Sequence, residues 1–259
     1  MSLKFIKDFS DNDMSAEIED SVVILRLKSN AFNFMVDLSK VEHYTELFNA
    51  IGQTPEIKVV LSIFEPESLG ELVYHQYISS LCGENIELKE LDGNWEFKEE
   101  LPRLRQMFFH QNTIKKRIAS KKIIIDCLQG DVVTPFFGET LSADFRFVTE
   151  AMQFKLAHRQ YGLHPSGGLS FFLPRYVGES KAIDLLLNAD TITATEALEL
   201  GLVNRIISAD NFESECIHAA KQMSQISRTI IETTKGLTYR FQDELEDYFI
   251  AEAKMMRVD

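Results

Sequence analysis

The residues best suited to chemistry gather in the middle of the second half of the chain. His158, His164 and Ser166 lie within one short span, and Glu139 precedes them. An imidazole titrates near neutral pH, so it can serve as acid, base or nucleophile, and a hydroxyl beside it can be activated for attack. A carboxylate can accept or return a proton in the same setting. Two histidines and a serine at irregular spacing fit a structural role as well, and the sequence leaves both readings open for all three. His75 and His110 fall in helical stretches, where a lone histidine more often packs or faces solvent. Cys82, Cys127 and Cys216 are too few and too scattered for a disulfide framework or a cysteine-based zinc site. No metal-ligand spacing is present, and Ser166-Gly167-Gly168 is the nearest approach to a phosphate-cradling loop.

Residues 121–207 must position these groups. Residues 121–128 read as an apolar strand, Gln129-Gly130 as a turn, and the following residues to 143 as a short helical piece. Residues 144–148 and 152–156 alternate in character, as half-buried strands do, and 179–188 read as a helix. Upstream, residues 21–27 form a buried strand. Ser39 and Glu42 have capping-box form before a helix carrying Val41, Tyr44, Leu47, Phe48 and Ile51. Thr54-Pro55 ends that helix, and 57–63 supply a second strand. Residues 64–71 form a loop, with Ser68 as cap for a helix over 72–81; 82–94 make a polar, acidic connector. A long helix over 97–119 places Leu101, Leu104, Phe108 and Ile118 near one stripe, and two helical patterns cover 211–225 and 228–257.

Composition limits the function classes. A chain of 259 residues, 45% hydrophobic, can bury the core of one large domain. With 27 basic residues against 40 acidic ones, the net charge of −13 gives little attraction for nucleic acid or an anionic membrane surface, and neither is expected as a partner. The first residues lack a secretory apolar stretch, and no run reaches the length of a membrane span, so a cytoplasmic location is expected.

Two phrases carry a resemblance: Leu173-Pro-Arg-Tyr-Val-Gly178 and Thr193-Ala-Thr-Glu-Ala-Leu-Glu-Leu-Gly-Leu-Val-Asn-Arg205. Together with the strand order before them they resemble the crotonase superfamily, also called the enoyl-CoA hydratase/isomerase family. The likeness is strongest over 123–207; in the amino-terminal half only Asn33 and the strand at 57–63 fit. It implies an α/β fold, a spiral of repeated ββα units over 1–207 followed by a helical trimerisation region at 208–259. It further implies a homotrimer or hexamer, and an acyl-CoA or carrier-bound acyl thioester as partner, with coenzyme A as part of the substrate and no separate cofactor.

The same resemblance assigns a site. Relatives polarise a thioester carbonyl with two backbone N–H donors. Gly70 is the nearest residue to the first donor, in a loop that departs from the family pattern. The second belongs to the turn Thr134-Pro135-Phe136, where the middle position falls on Pro135, which has no N–H. Loss of one such donor costs on the order of 3 kcal/mol of transition-state stabilisation. Phe136 and Phe137 add bulk where relatives are small. The two glutamates of a hydratase correspond here to Gly138 and His158, while Glu139 lies one residue further on, turned by about 100° if helical. The segment carrying His75 and His110 would cover the acyl pocket. Three readings follow. One is a divergent enzyme performing isomerisation, decarboxylation or other thioester chemistry, with His158 as proton carrier. Another is a non-catalytic acyl-CoA binder or structural partner of an active relative. The last is an ordinary hydratase using Glu139.

Overall fold

The computed structural model describes residues 2–28, 31–82 and 100–255. The chain opens with α1 (Ser2–Lys7) and a hairpin of β1 (Met14–Glu19) and β2 (Val22–Leu27). Next come α2 (Ala31–Val36), α3 (Leu38–Gln53), β3 (Val59–Phe64), α4 (Glu71–Cys82) and α5 (Glu100–Ala119). The central stretch runs β4 (Ile123–Leu128), β5 (Asp131–Val133), α6 (Phe136–Thr140), β6 (Phe145–Val148), β7 (Gln153–Lys155) and a 3-10 turn at Ala157–Tyr161. It continues through α7 (Leu169–Val177), α8 (Glu179–Asn188), β8 (Thr191–Thr193), α9 (Ala194–Glu199) and β9 (Arg205–Ile206). The carboxy-terminal region is helical: α10 (Phe212–Met223), α11 (Arg228–Thr238) and α12 (Gln242–Met255).

Six strands pair in the order β1-β2-β3-β4-β6-β9, antiparallel only between β1 and β2, and a smaller sheet has the order β5-β7-β8. The repeated unit is visible in the middle of the chain. β4 joins the large sheet and β5 the small one before α6, and then β6 and β7 repeat the division before the 3-10 turn. β3 and β4 are buried at every position and apolar except for Ser62 and Asp126, as strands covered on both faces are. Their side chains alternate between two cores. Val60 and Ile124 face one; Val59, Leu61, Ile123 and Ile125 face the other, where Phe212, Cys216, Ala219 and Ala220 of α10 cover them.

Several local expectations are corrected. The β1 and β5 strands were not legible, because β1 mixes polar with apolar residues and β5 is only three residues long. The α3 cap is Asp37, whose carboxylate accepts from the Ser39 and Lys40 amides, so the Ser39–Glu42 capping box does not form. Ser68 does not cap α4; its hydroxyl donates to the Glu65 carbonyl within the loop. The buried face of α5 is Met107, His110, Ile114, Arg117 and Ile118, whereas Leu101 and Phe108 are 58% and 55% exposed. Polar residues could take that face because partners for them lie on β4 and α6. The pattern at 228–257 is two helices, α11 and α12. The connector at 83–94 and the first turn of the long helix, 97–99, lie outside the described residues. Among the described residues no helix is long and apolar enough to cross a membrane.

One buried cation ties the central unit together. Arg146 on β6 donates to the carbonyls of Thr140 at the end of α6, of Ala143 beyond it and of Leu202 before β9, and its own amide donates to the Asn204 side chain. A guanidinium with five donors can satisfy carbonyls from several segments at once, which suits it to a junction that would otherwise bury bare acceptors.

Candidate functional site

The site is built on α6, a single turn of helix held against the loop before α7. Glycine is required on both sides of that contact. A β-carbon on Gly138 would stand 2.4 Å from the Gly167 carbonyl oxygen and 2.5 Å from the Leu169 nitrogen. One on Gly167, whose φ is +69°, would stand 2.2 Å from the Pro135 carbonyl oxygen. The place assigned by resemblance to a hydratase glutamate is therefore filled by backbone.

Glu139, the next residue, points toward α5. Its Oε2 lies 2.6 Å from His110 Nδ1, and its Oε1 lies 3.4 Å from the Arg117 guanidinium, which in turn donates to Asp126 Oδ2 on β4 at 2.6 Å. All four side chains are buried, and Phe136 stands edge-on against the His110 ring with centroids 5.0 Å apart. Burial alone would lower the Arg117 guanidinium; the adjacent Asp126 and Glu139 carboxylates outweigh it and hold it above its ordinary value. Burial pushes the Asp126 carboxyl up, against the pull of Arg117. In a neutral His110 ring the Nδ1–H donates to Glu139, which leaves the lone pair on Nε2.

That Nε2 atom is buried without a hydrogen-bond partner among the described residues, and so is Nε2 of His164. Both histidines line one cavity of about 20 Å³, together with Tyr74, Arg103, Ser166 and Glu252. Such a volume accommodates about one water molecule. Burial lowers the His164 imidazole, as does the positive charge of Arg103. Glu252, on α12, is 5% exposed; its Oε1 accepts from the Gly168 amide at 3.3 Å and the Tyr248 hydroxyl at 2.9 Å. Burial pushes its carboxyl up. Among the described residues no group of histidine, cysteine and acidic side chains is arranged to hold a metal ion.

Of the residues read from the sequence, Glu139, His164 and Ser166 come together through His110. His158 does not join them. Its Nδ1 lies 3.3 Å from the Thr134 hydroxyl and its Nε2 3.3 Å from the Leu186 carbonyl, so both ring nitrogens are engaged in joining β5, α8 and the 3-10 turn. Burial lowers it to about 4, which makes it a neutral strut near pH 7. His158 therefore lies apart from the His110 cavity, with both ring nitrogens partnered.

Gly70 does not present a free donor: its amide donates to the Glu67 carbonyl at 3.1 Å, and the Val133 amide pins the loop at Leu69. Pro135 offers its carbonyl to the Glu139 amide and abuts Gly167. Phe136 packs on Phe32 as well as His110. His75 lies 3.1 Å from the Tyr161 hydroxyl, away from the cavity lining. Sequence reasoning missed Glu252 and set His110 aside. The available signal was position: His110 shares a helical face with Met107 and Ile114, and Glu252 follows Leu245 and Phe249 at helical spacing.

Comparison with known proteins accords with this architecture. The profile of the family described as Enoyl-CoA hydratase/isomerase matches residues 102–258. Over 127 residues the chain is 31% identical to a probable peroxisomal enoyl-CoA hydratase 1 of Arabidopsis thaliana, covering 49% of this chain and 45% of that protein. It is 31% identical over 122 residues to 4-chlorobenzoyl coenzyme A dehalogenase-1 of Arthrobacter sp, covering 47% and 44%. The matches thus span just under half the length of these curated relatives. Among solved structures, an enoyl-CoA hydratase from Bacillus halodurans superposes with a TM-score of 0.76 at 19% identity, over 95% of this chain and 94% of the other. Pseudomonas aeruginosa DspI gives 0.72 at 16%, over 95% and 88%. At these identities the structural likeness is one of fold. Taken with the profile match over more than half its length, it means that the chain belongs to the enoyl-CoA hydratase/isomerase family, the crotonase superfamily.

Proposed function

We propose that the protein acts on an acyl-CoA or carrier-bound acyl thioester by moving a proton between carbons, as an isomerase does, with His110 backed by Glu139 as the proton carrier. The observation that carries this reading is the 2.6 Å contact between Glu139 Oε2 and His110 Nδ1, with His110 Nε2 left without a partner among the described residues and the residue lining the same cavity as His164 and Ser166. A carboxylate on Nδ1 orients the ring and stabilises the imidazolium formed when Nε2 takes a proton. The α-carbon of a thioester is the acidic position, and the electron pair left behind passes to the carbonyl oxygen. A proton returned further along the chain completes the shift, so isomerisation needs no activated water. Hydration needs a second group to activate water, and the places assigned to it hold Gly138 and His158. Direct use of Glu139 as a hydratase carboxylate is disfavoured by its burial against His110 and Arg117. The names of the relatives support a CoA thioester as substrate class. Because the cavity is water-sized, an acyl group enters only if the wall around it widens.

Incubation with a panel of α,β- and β,γ-unsaturated acyl-CoAs tests the reading. Double-bond migration is expected, slowed about 100-fold or more in Glu139→Gln; hydration without migration would overturn it. A second reading, a non-catalytic thioester binder or structural partner, is favoured by Pro135 and by the engaged Gly70 amide. Calorimetry giving binding of acyl-CoA without turnover of any panel member would select it. In both readings residues 208–259 serve oligomerisation, as a homotrimer or hexamer, in the cytoplasm; light scattering and fractionation test these two points.

A further inference from the structure

We infer that Glu252, on the carboxy-terminal helix α12, is a second proton-transfer group of the cavity, placed to give a proton to the carbon opposite the one that His110 deprotonates. The inference rests on the proposed role of the His110–Glu139 pair.

The first argument is the pattern of α12. Leu245, Phe249 and Glu252 form its buried stripe, while Asp243, Glu244, Glu246 and Asp247 are exposed. An amphipathic helix ordinarily continues such a stripe with an apolar residue, because a carboxyl taken from water without full compensation is unfavourable. Here the position that should be apolar carries the acid, and the acid lines the same cavity as His110 and His164, whose Nε2 atoms are buried without a hydrogen-bond partner among the described residues.

The second argument is protonation. The groups that favour the charged form of Glu252 are the Gly168 amide, the Tyr248 hydroxyl and the Gln111 side chain, joined by His110 only once its ring is protonated. Burial outweighs them and raises the carboxyl, with Arg103 and His164 also on the cavity wall. A carboxyl raised by burial is shifted toward the pH range in which it can give up a proton, as a donor in this cavity must.

The step balances without a co-reactant. His110 Nε2 removes the α-proton of a β,γ-unsaturated thioester, and the C–H electron pair forms a dienolate. The Glu252 carboxyl delivers its proton to the γ-carbon as the double bond shifts to α,β. Imidazolium and carboxylate are left facing one cavity, and proton transfer between them resets both.

Glu252→Gln separates this role from a structural one, since the amide oxygen can still accept from Gly168 and Tyr248. In D2O with a β,γ-unsaturated acyl-CoA, the wild type should both exchange the α-hydrogen and isomerise. Glu252→Gln should keep α-exchange within a few-fold yet lose isomerisation by about 100-fold or more, and Glu252→Asp should restore part of it. Isomerisation unchanged in Glu252→Gln, or exchange and isomerisation lost in equal measure by a variant with wild-type circular dichroism, would overturn the inference while leaving His110 in place. A wild type that does neither would overturn both.

Discussion

Gly138 and Gly167 meet backbone to backbone, so closely that a β-carbon on the first would stand 2.4 Å from the carbonyl oxygen of the second. This contact decides the character of the site. It excludes a side chain from the position that corresponds to a hydratase glutamate, and it sets α6 so that the following residue, Glu139, turns to His110. Restoring the family residue should therefore fail. Gly138→Ala is expected to lose about 3 kcal/mol of stability, since backbone on both sides must move, and Gly138→Glu should not gain hydratase activity. Urea denaturation and a crotonyl-CoA assay check the two parts; a stable, hydrating Gly138→Glu would contradict the packing argument.

Arg117 is the hub of the buried charges. Removing it leaves the buried Asp126 carboxylate without its cation and Glu139 with His110 alone, and breaking a buried pair in this way costs about 3–5 kcal/mol. Arg117→Met should show that loss in denaturant midpoint. Arg117→Met combined with Asp126→Leu should recover much of it, because the uncompensated charge is then gone. Equal destabilisation in the single and double variants would mean that shape, and not charge, sets the cost.

His158 gives a pH signature. Its folded-state value of about 4 lies below the ordinary 6.5, so between those values the unfolded chain binds the extra proton. Stability must then rise with pH across that window, and on acidification from pH 6.5 to 4 the protein should lose about 3 kcal/mol through this group. His158→Gln, whose amide can still meet Thr134 and Leu186, should flatten that segment of the stability curve. A curve unchanged by the substitution would mean that the ring titrates normally.

The fold was legible because the phrases that carry the family likeness are structural devices. Thr193 and Glu196 form a reciprocal cap at the start of α9, Gly201 takes a φ of +71° where the chain turns, and Asn204 accepts from Arg146 to seat β9. Such devices depend on local spacing and survive in sequence. The site depends on juxtaposition instead. His110 and Glu139 are 29 residues apart and Glu252 stands on the last helix, so no local pattern could join them. His158 shows the reverse case: its place in the chain matches a catalytic position, while its ring has been turned into a brace between Thr134 and Leu186. Pro135 was read correctly as lacking a donor, since that follows from its covalent structure alone.

The central claim is that His110, and not His158, carries the proton. Exchange of the α-hydrogens of an acyl-CoA into D2O, followed by mass spectrometry for wild type, His110→Gln and His158→Gln, tests it most directly. The account predicts exchange reduced about 100-fold or more in His110→Gln and near wild-type exchange in folded His158→Gln; exchange that survives the first substitution and vanishes with the second would contradict it.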